Sequence, residues 1–416
     1  MAHKTLISGT AYDITGGKTL VSGTSYSVKN GKVLIGGTAY DISFKKQYPP
    51  NVQDFWTQTS SADVVGPAPI TGIVYANGYW VVCGYTKQGE GSYQYYAYIA
   101  YAKSLDGPWT TKELWGTNGV YADMAVINCI TFENGYFVVG GRYGGGTNAC
   151  ARIAYATNPD GTWTIKDIWT NFHSEINSLT YANGYWVAGG RAGTNSNGIF
   201  ARIAYATSLD GAWTTKNLFS TGSNGDAYVK KILYGNGYFT AACYYRNADT
   251  STEYPRIAYA TTPSGTWTTK DLWSTSVTYS YINDLIYSNG YWVAVGRYYS
   301  SSTYYAKLAY ATSPAGTWTT KNLWSGASGN KCDLYDIIHD DNGFVVRGYD
   351  AGVRWCTAAS PDGTWTDVTV PASSLDSIYF IDYIDGNYLE GGYVTGSTNT
   401  ARLINAPTLE ELGTSQ

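Results

Sequence analysis

Ile176-Asn-Ser-Leu-Thr-Tyr-Ala-Asn-Gly-Tyr-Trp-Val-Ala-Gly-Gly190, followed after ten residues by Ala201-Arg-Ile-Ala-Tyr-Ala-Thr-Ser-Leu-Asp-Gly-Ala-Trp-Thr-Thr-Lys-Asn-Leu218, decides the fold. The text alternates apolar and polar residues and is rich in Tyr, Trp, Thr and Val, which suit a pleated, half-buried surface. Asn183-Gly184 and Asp210-Gly211 tolerate the positive φ that a two-residue hairpin turn needs. The stretch therefore predicts four antiparallel strands, at Ile176–Ala182, Tyr185–Gly190, Ala201–Thr207 and Trp213–Leu218. Four such strands in about 50 residues make one blade of a β-propeller.

The unit repeats along the chain. Its first turn recurs at Asn77-Gly78, Asn134-Gly135, Asn236-Gly237, Asn289-Gly290, Asn342-Gly343 and Asp385-Gly386, which makes seven with Asn183-Gly184. Its second turn recurs at Asp106-Gly107, Asp160-Gly161, Ser264-Gly265, Ala315-Gly316 and Asp362-Gly363, which makes six. The seventh unit lacks a Trp-Thr strand, while Phe55-Trp56-Thr57-Gln58 resembles Thr162-Trp163-Thr164-Ile165 and precedes the first unit. The expectation is an all-β, seven-bladed propeller of four-stranded antiparallel blades, closed by a strand from its N-terminal end. Closure of that kind removes free sheet edges.

A different repeat precedes it. Lys4-Thr-Leu-Ile-Ser-Gly-Thr-Ala-Tyr-Asp-Ile returns with small changes at Lys18 and Lys32, a period of 14 residues. Each copy reads as two short strands around a Gly-Thr bend. About 40 residues bury little core alone. Residues 1–44 are therefore expected to attach to another chain or to self-associate; a hairpin cap on its own propeller is the other reading. Residues 45–54, with Pro49-Pro50, read as a stiff linker, and the propeller as 55–416.

Composition narrows the function. Charged residues make up 14% and the net charge is −4, so no basic surface is available for phosphates and nucleic acid is not an expected partner. No apolar run approaches the 18 residues of a membrane span. The first residues lack the apolar region of a secretory signal. Six cysteines without a CxxC and three scattered histidines give no zinc pattern, so no metal and no cofactor is expected. Cys83 and Cys243 lie in apolar strand text and read as buried free thiols.

The second-turn phrase resembles the Asp-box: Ser104-Leu-Asp-Gly-Pro-Trp-Thr, Ser208-Leu-Asp-Gly-Ala-Trp-Thr and Ser360-Pro-Asp-Gly-Thr-Trp-Thr, each one residue shorter between Asp and Trp than the usual box. That resemblance implies a sialidase-like propeller and places the boxes away from a sialidase-type active site. The 14-residue repeats resemble those that open bacteriophage and prophage tail or virion proteins. That resemblance implies a virion-associated protein, made in the host cytoplasm, whose N-terminal repeats bind other tail proteins.

One propeller face is expected to carry uniform turns, and the other the connections between second and third and between fourth and first strands. The latter are rich in Tyr, Ser, Gly and Asn, as in binding loops. Tyr93, Tyr95, Tyr143, Tyr245, Tyr254, Tyr298 and Tyr304 are the candidate ligand contacts, through stacking on a host surface glycan. Packing of the loops on one another is the other reading of these tyrosines. Arg142, Arg191 and Arg297 end second strands, and Arg152, Arg202, Arg256, Lys307 and Arg402 open third strands. These read either as anion capture or as repeated pairs between blades. Asn128, Asn177, Lys230 and Asn283 recur at the start of first strands, near the expected axis.

No nucleophile–base pattern is readable, so no catalytic residue is assigned. Asp123, Glu175, Asp226, Asp284, Asp333 and Asp336 lie on or near the variable face, and a glycoside hydrolase needs two facing carboxylates. Three readings stay open: glycan or receptor binding, structural virion decoration, and hydrolysis of an envelope polysaccharide.

Overall fold

The structure is a computed structural model. It describes the strands within 3–41 and residues 51–59, 68–88, 94–116, 124–145, 149–170, 172–194, 198–219, 225–247, 252–273, 279–326, 332–370, 373–395 and 398–412. Two compact units form, Met1–Gln47 and Tyr48–Gln416.

In the first unit each 14-residue repeat supplies two adjacent strands. The six, from His3–Ile7 to Thr38–Asp41, form one antiparallel sheet in sequence order.

The second unit is a seven-bladed propeller. In the third blade the strands are Phe172–Ala182, Tyr185–Thr194, Gly198–Ala206 and Thr214–Phe219, hydrogen-bonded in that order. The innermost strands of the seven blades are Ile70–Ala76, Met124–Glu133, Phe172–Ala182, Asp226–Gly235, Tyr281–Ser288, Cys332–His339 and Ser377–Ile384. Each touches the next, and the last touches the first, which closes the ring.

The Asn-Gly turns have the positive φ expected of them: Asn183 at 50° and Gly184 at 80°, with matching values in five other blades. In the sixth blade Asn342 does not; the Asp340 carboxylate accepts from the amides of Asn342 and Gly343 instead. The second turns are not two-residue hairpins, which corrects the sequence reading. Seven residues, 157–163, separate the third and fourth strands of the second blade. A Gly161 N–H bond to Asn158 O (3.1 Å) and a Trp163 Nε1–H bond to Pro159 O (3.1 Å) close that connection. The same indole bond recurs at Trp109, Trp213, Trp267, Trp318 and Trp365. The Trp of the box is thus the lid of its own turn.

The core lies between blades. An aromatic pair crosses the inner hairpin of every blade, as in Tyr75–Trp80, Phe132–Phe137, Tyr181–Trp186 and Tyr234–Phe239, with centroids 4.6–5.0 Å apart. Trp80, Phe137, Trp186, Phe239, Trp292 and Phe344 are fully buried. Such pairs add about 0.5–1.5 kcal/mol each beyond area burial. A lysine from one fourth strand then caps the next blade's second turn. Lys166 Nζ donates to Asp210 O (2.5 Å) and Gly211 O (2.6 Å), and Lys112, Lys216, Lys270 and Lys321 do the same one blade on.

The seventh blade takes its fourth strand from Asn51–Thr59, which pairs with Thr398–Ala406. The strand begins inside 45–54, the stretch read as a linker. Its register also differs from the sequence comparison. Arg402 pairs with Asp54 as Arg152 pairs with Asp167. Asn51-Val-Gln-Asp-Phe-Trp56 therefore matches Thr164-Ile-Lys-Asp-Ile-Trp169, and Trp56 is the counterpart of Trp169, not of Trp163.

Candidate functional site

Every innermost strand carries a bulge near its start. The extra residues are Thr71, Asn128, Asn177, Lys230, Asn283, Tyr335 and Tyr379. Opposite the bulge stands glycine in six blades, at Gly84, Gly141, Gly190, Gly296, Gly348 and Gly392, with Cys243 in the fourth. A Cβ at Gly190 would lie 1.9 Å from Glu175 O, and one at Gly141 1.9 Å from Val126 O. The glycine admits the bulged backbone, and the bulge presents its polar side chain to the neighbouring blade.

These side chains link blades. Thr71 Oγ1 donates to Ile127 O (2.8 Å), Asn128 Nδ2 to Ile176 O (2.9 Å) and Asn177 Nδ2 to Val229 O (2.9 Å). Lys230 Nζ donates to Asn283 Oδ1 (2.8 Å), and Asn283 Nδ2 to Asp333 Oδ1 (2.8 Å). The recurrent Asn positions thus satisfy neighbouring backbone and Lys230 a neighbouring side chain, and Asn128, Asn177 and Lys230 still line an open mouth.

Around this floor stand cross-strand pairs two residues nearer the strand start: Val126 with Arg142, Glu175 with Arg191, Tyr228 with Tyr244, Tyr281 with Arg297 and Asp333 with Tyr349. Arg191 Nε lies 2.8 Å from Glu175 Oε1, an ion pair off the line of a hydrogen bond. Arg297 lies 3.7 Å from Asp333 and stacks 4.6 Å over Tyr281. Arg142 Nε donates to Gly144 O at 3.2 Å.

Burial shapes the charges. It raises the Asp226 carboxyl, opposed by Arg191. It raises the Asp333 carboxyl against the pull of Arg297 and Lys230, and lowers the Lys230 ammonium. Thr71, Tyr85, Asn128, Glu175, Asn177, Arg191, Asp226, Tyr228, Lys230 and Tyr379 enclose a bowl of about 430 Å³.

Of the sequence-derived contacts, Arg191 lines this bowl. Tyr93 and Asp123 lie outside the described residues. Tyr95 pairs across its hairpin with Lys87. Tyr143 lies under Arg152 (3.9 Å), Tyr245 under Arg256 (4.4 Å) and Tyr298 under Lys307 (4.7 Å). Those cations pair in turn with Asp167, Asp271 and Asn322 of their own blades. Tyr245 and Tyr254 meet at 5.1 Å, and Tyr304 packs 5.3 Å from Arg297. The described tyrosines therefore spread over four blades, and Tyr143, Tyr245, Tyr254, Tyr298 and Tyr304 each sit in a local stack.

The connections holding these tyrosines are also shorter than expected. Tyr291–Ser300 and Thr303–Ala311 are joined by Ser301-Ser302 alone, and Arg246 pairs with Glu253. The Tyr residues of those stretches are strand residues, because the second and third strands are longer than expected from the sequence. Tyr85, Tyr228 and Tyr379, absent from the sequence-derived set, are the aromatic side of the bowl. Their only sequence signal is their place at or beside the bulge and its facing residue, glycine for Tyr85 and Tyr379 and Cys243 for Tyr228.

No protein-family description matches the sequence, and no curated protein is similar to it. Among solved structures, YCF48 bound to D1 peptide aligns over 88% of this chain and 99% of its own, with 12% identity and a TM-score of 0.51. The polysaccharide lyase Uly1 aligns over 84% of this chain and 92% of its own, with 13% identity and a TM-score of 0.51. A Trypanosoma rangeli sialidase in complex with the inhibitor DANA aligns over 73% and 56%, with 10% identity and a TM-score of 0.44. These likenesses concern the propeller fold.

Proposed function

We propose that the propeller binds a surface glycan in the axial bowl and that residues 1–44 tie it to a larger assembly, as in a bacteriophage or prophage tail protein. The convergence of Tyr85, Tyr228 and Tyr379 with Asn128, Asn177, Arg191 and Glu175 on one bowl carries the reading. A sugar offers flat C–H faces to aromatic rings and hydroxyl pairs to amides and ions. The bowl's described charges balance, Glu175 and Asp226 against Arg191 and Lys230, which suits a neutral saccharide. The attachment role rests on the 14-residue repeats and their resemblance to tail proteins. Weak single sites would be compensated by several copies per particle.

The test is an array of bacterial surface polysaccharides probed with the full chain. Tyr379 is 42% exposed, so Tyr379→Ala should leave the fold intact. Binding should fall about tenfold. An array with no signal, or a Tyr379→Ala protein that binds unchanged, rejects the bowl.

A second reading draws on Glu175 and Asp226, two carboxylates in one bowl. Release of reducing ends from the glycan bound on the array would mark the site as hydrolytic. Binding without release leaves recognition.

A further inference from the structure

The sixth blade lacks the large aromatic that the other six carry in or just after the fourth strand, at Trp56, Trp115, Trp169, Phe219, Trp273 and Trp324. In the second blade the fourth strand runs Thr164–Thr170, and its Trp169 Nε1 donates to Arg191 O of the next blade at 3.1 Å. Trp115 does the same to Arg142 O at 3.2 Å. In the sixth blade the fourth strand is only Thr366–Val368. No such Trp follows it in the sequence, since position 371 is proline. Between this blade and the seventh lies a cleft of about 870 Å³, about twice the volume of the axial bowl.

Glu390 lines that cleft. It stands opposite Ile381 on the inner hairpin. The same register position holds Val82, Val139, Ala188, Ala241, Ala294 and Val346 in the other six blades, each facing an Ile or Leu and each fully buried. Glu390 is therefore a carboxyl at a core position, 2% exposed. Its Oε2 has no hydrogen-bond partner. The nearby cation, Arg347, is taken by Asp336, with Nε 2.8 Å from Oδ2. Burial raises the carboxyl, outweighing both the bond Ser373 donates to it and the attraction of Arg347 from its pairing with Asp336. A carboxyl so weakly compensated, at a site that six other blades fill with Val or Ala, costs stability, and packing gives no reason for it.

We infer that this cleft is a second binding site, and that Glu390 receives the ammonium group of an amine-bearing ligand. Among the described lining residues Asp336, Glu390 and Asp376 face one cation, Arg347. That balance repels anions. A hydroxyl would supply a donor and leave the charge unmatched; an ammonium supplies both. Trp355 and Tyr335 in the walls suit the C–H groups beside such a nitrogen. Resting on the proposed glycan reading, the ligand class is a sugar with a free amine.

The probes are glucosamine, glucose and N-acetylglucosamine, titrated against the full chain by calorimetry at about pH 6, where a sugar ammonium is charged. Glucosamine should bind at least tenfold tighter than the other two. Glu390→Gln keeps the shape and should remove that preference. Glu390→Val restores the residue of three other blades; it should abolish binding and melt about 2–4 °C higher.

Equal binding of the three sugars, or no binding of glucosamine, overturns the proposal. A lower melting temperature for Glu390→Val also overturns it, because Glu390 would then be structural. Arg191→Gln separates the two sites: it should impair glycan capture by the bowl and leave glucosamine binding unchanged. Glucosamine binding without any array signal would reject the bowl and keep the cleft.

Discussion

The indole Nε1–H of Trp56 donates to the carbonyl of Tyr85 at 3.1 Å. This joins the strand nearest the start of the propeller to the blade that follows it in the ring. Trp115 and Trp169 make the same bond to Arg142 and Arg191 one and two blades on. The N-terminal strand therefore packs as the fourth strands of the first two blades do, and the ring is closed by the same indole contact that joins the first blade to the second and the second to the third. Trp56 is 6% exposed and packs with Trp80, Leu389 and Leu403.

Trp56→Ala should cost about 3–5 kcal/mol, the usual loss for a buried large aromatic. Denaturant midpoints check it, with Ile165→Ala, at an exposed position, as a control expected to change little. Removing residues 1–59 should unfold the seventh blade, and removing 1–44 should not.

Arg402 and Asp54 also bridge the closure, with bonds of 2.6 and 2.8 Å. Both side chains are partly exposed. Such a pair is worth about 0.2–1 kcal/mol and is screened by salt. A double-mutant cycle of Arg402→Ala and Asp54→Ala should give a coupling in that range, falling in 1 M salt. A coupling as large as the Trp56→Ala loss would make the ion pair, not the indole, the main closure.

Burial pushes the Asp382 carboxyl up to about 6, with Lys231 opposing and Asp284 adding. Its unfolded value is about 4. Between those values the folded chain holds more protons than the unfolded chain, so stability rises as pH falls from about 6 to about 4. Above that window the charged form is a constant penalty. Glu133, pushed up to about 7, acts with the same sign. Asp382→Asn should raise stability at pH 7 by about 1–2 kcal/mol and flatten part of the pH dependence. Melting curves from pH 4 to 7 test it; a variant less stable than the parent at pH 7 contradicts the argument.

The blades were legible because hairpin turns are local. Asn183-Gly184 declares its positive φ in two residues. The register of the closing strand was not legible. Phe55-Trp56-Thr57 looks like either Trp motif of a blade, and only the pairing of Asp54 with Arg402, 348 residues away, chooses between them. The Tyr-rich connections misled for a related reason. Tyr143, Tyr245 and Tyr298 are paired strand residues, not loop residues, and their faces are taken by Arg152, Arg256 and Lys307. The bowl stayed hidden because Tyr85, Tyr228 and Tyr379 converge only through strand bulges. The Gly189-Gly190 and Gly140-Gly141 pairs were the available sign of those bulges.

Those glycines allow one last separation of fold from function. Gly184 sits in the hairpin turn at φ 80°, at the far end of the strand from the bowl, with nothing within 4 Å of an added Cβ. Gly184→Ala should therefore cost about 1 kcal/mol through backbone strain alone. Gly190 faces the bulge, where an added Cβ would meet Glu175 O at 1.9 Å. Gly190→Ala must displace the bulge and with it Asn177, whose Nδ2 reaches Val229 O. It should cost about 1–3 kcal/mol and also weaken glycan capture at temperatures where the protein is still folded. Capture by each variant, measured well below its melting temperature, decides the matter. Equal loss of capture in both variants would mean that binding follows stability and not the geometry of the bowl.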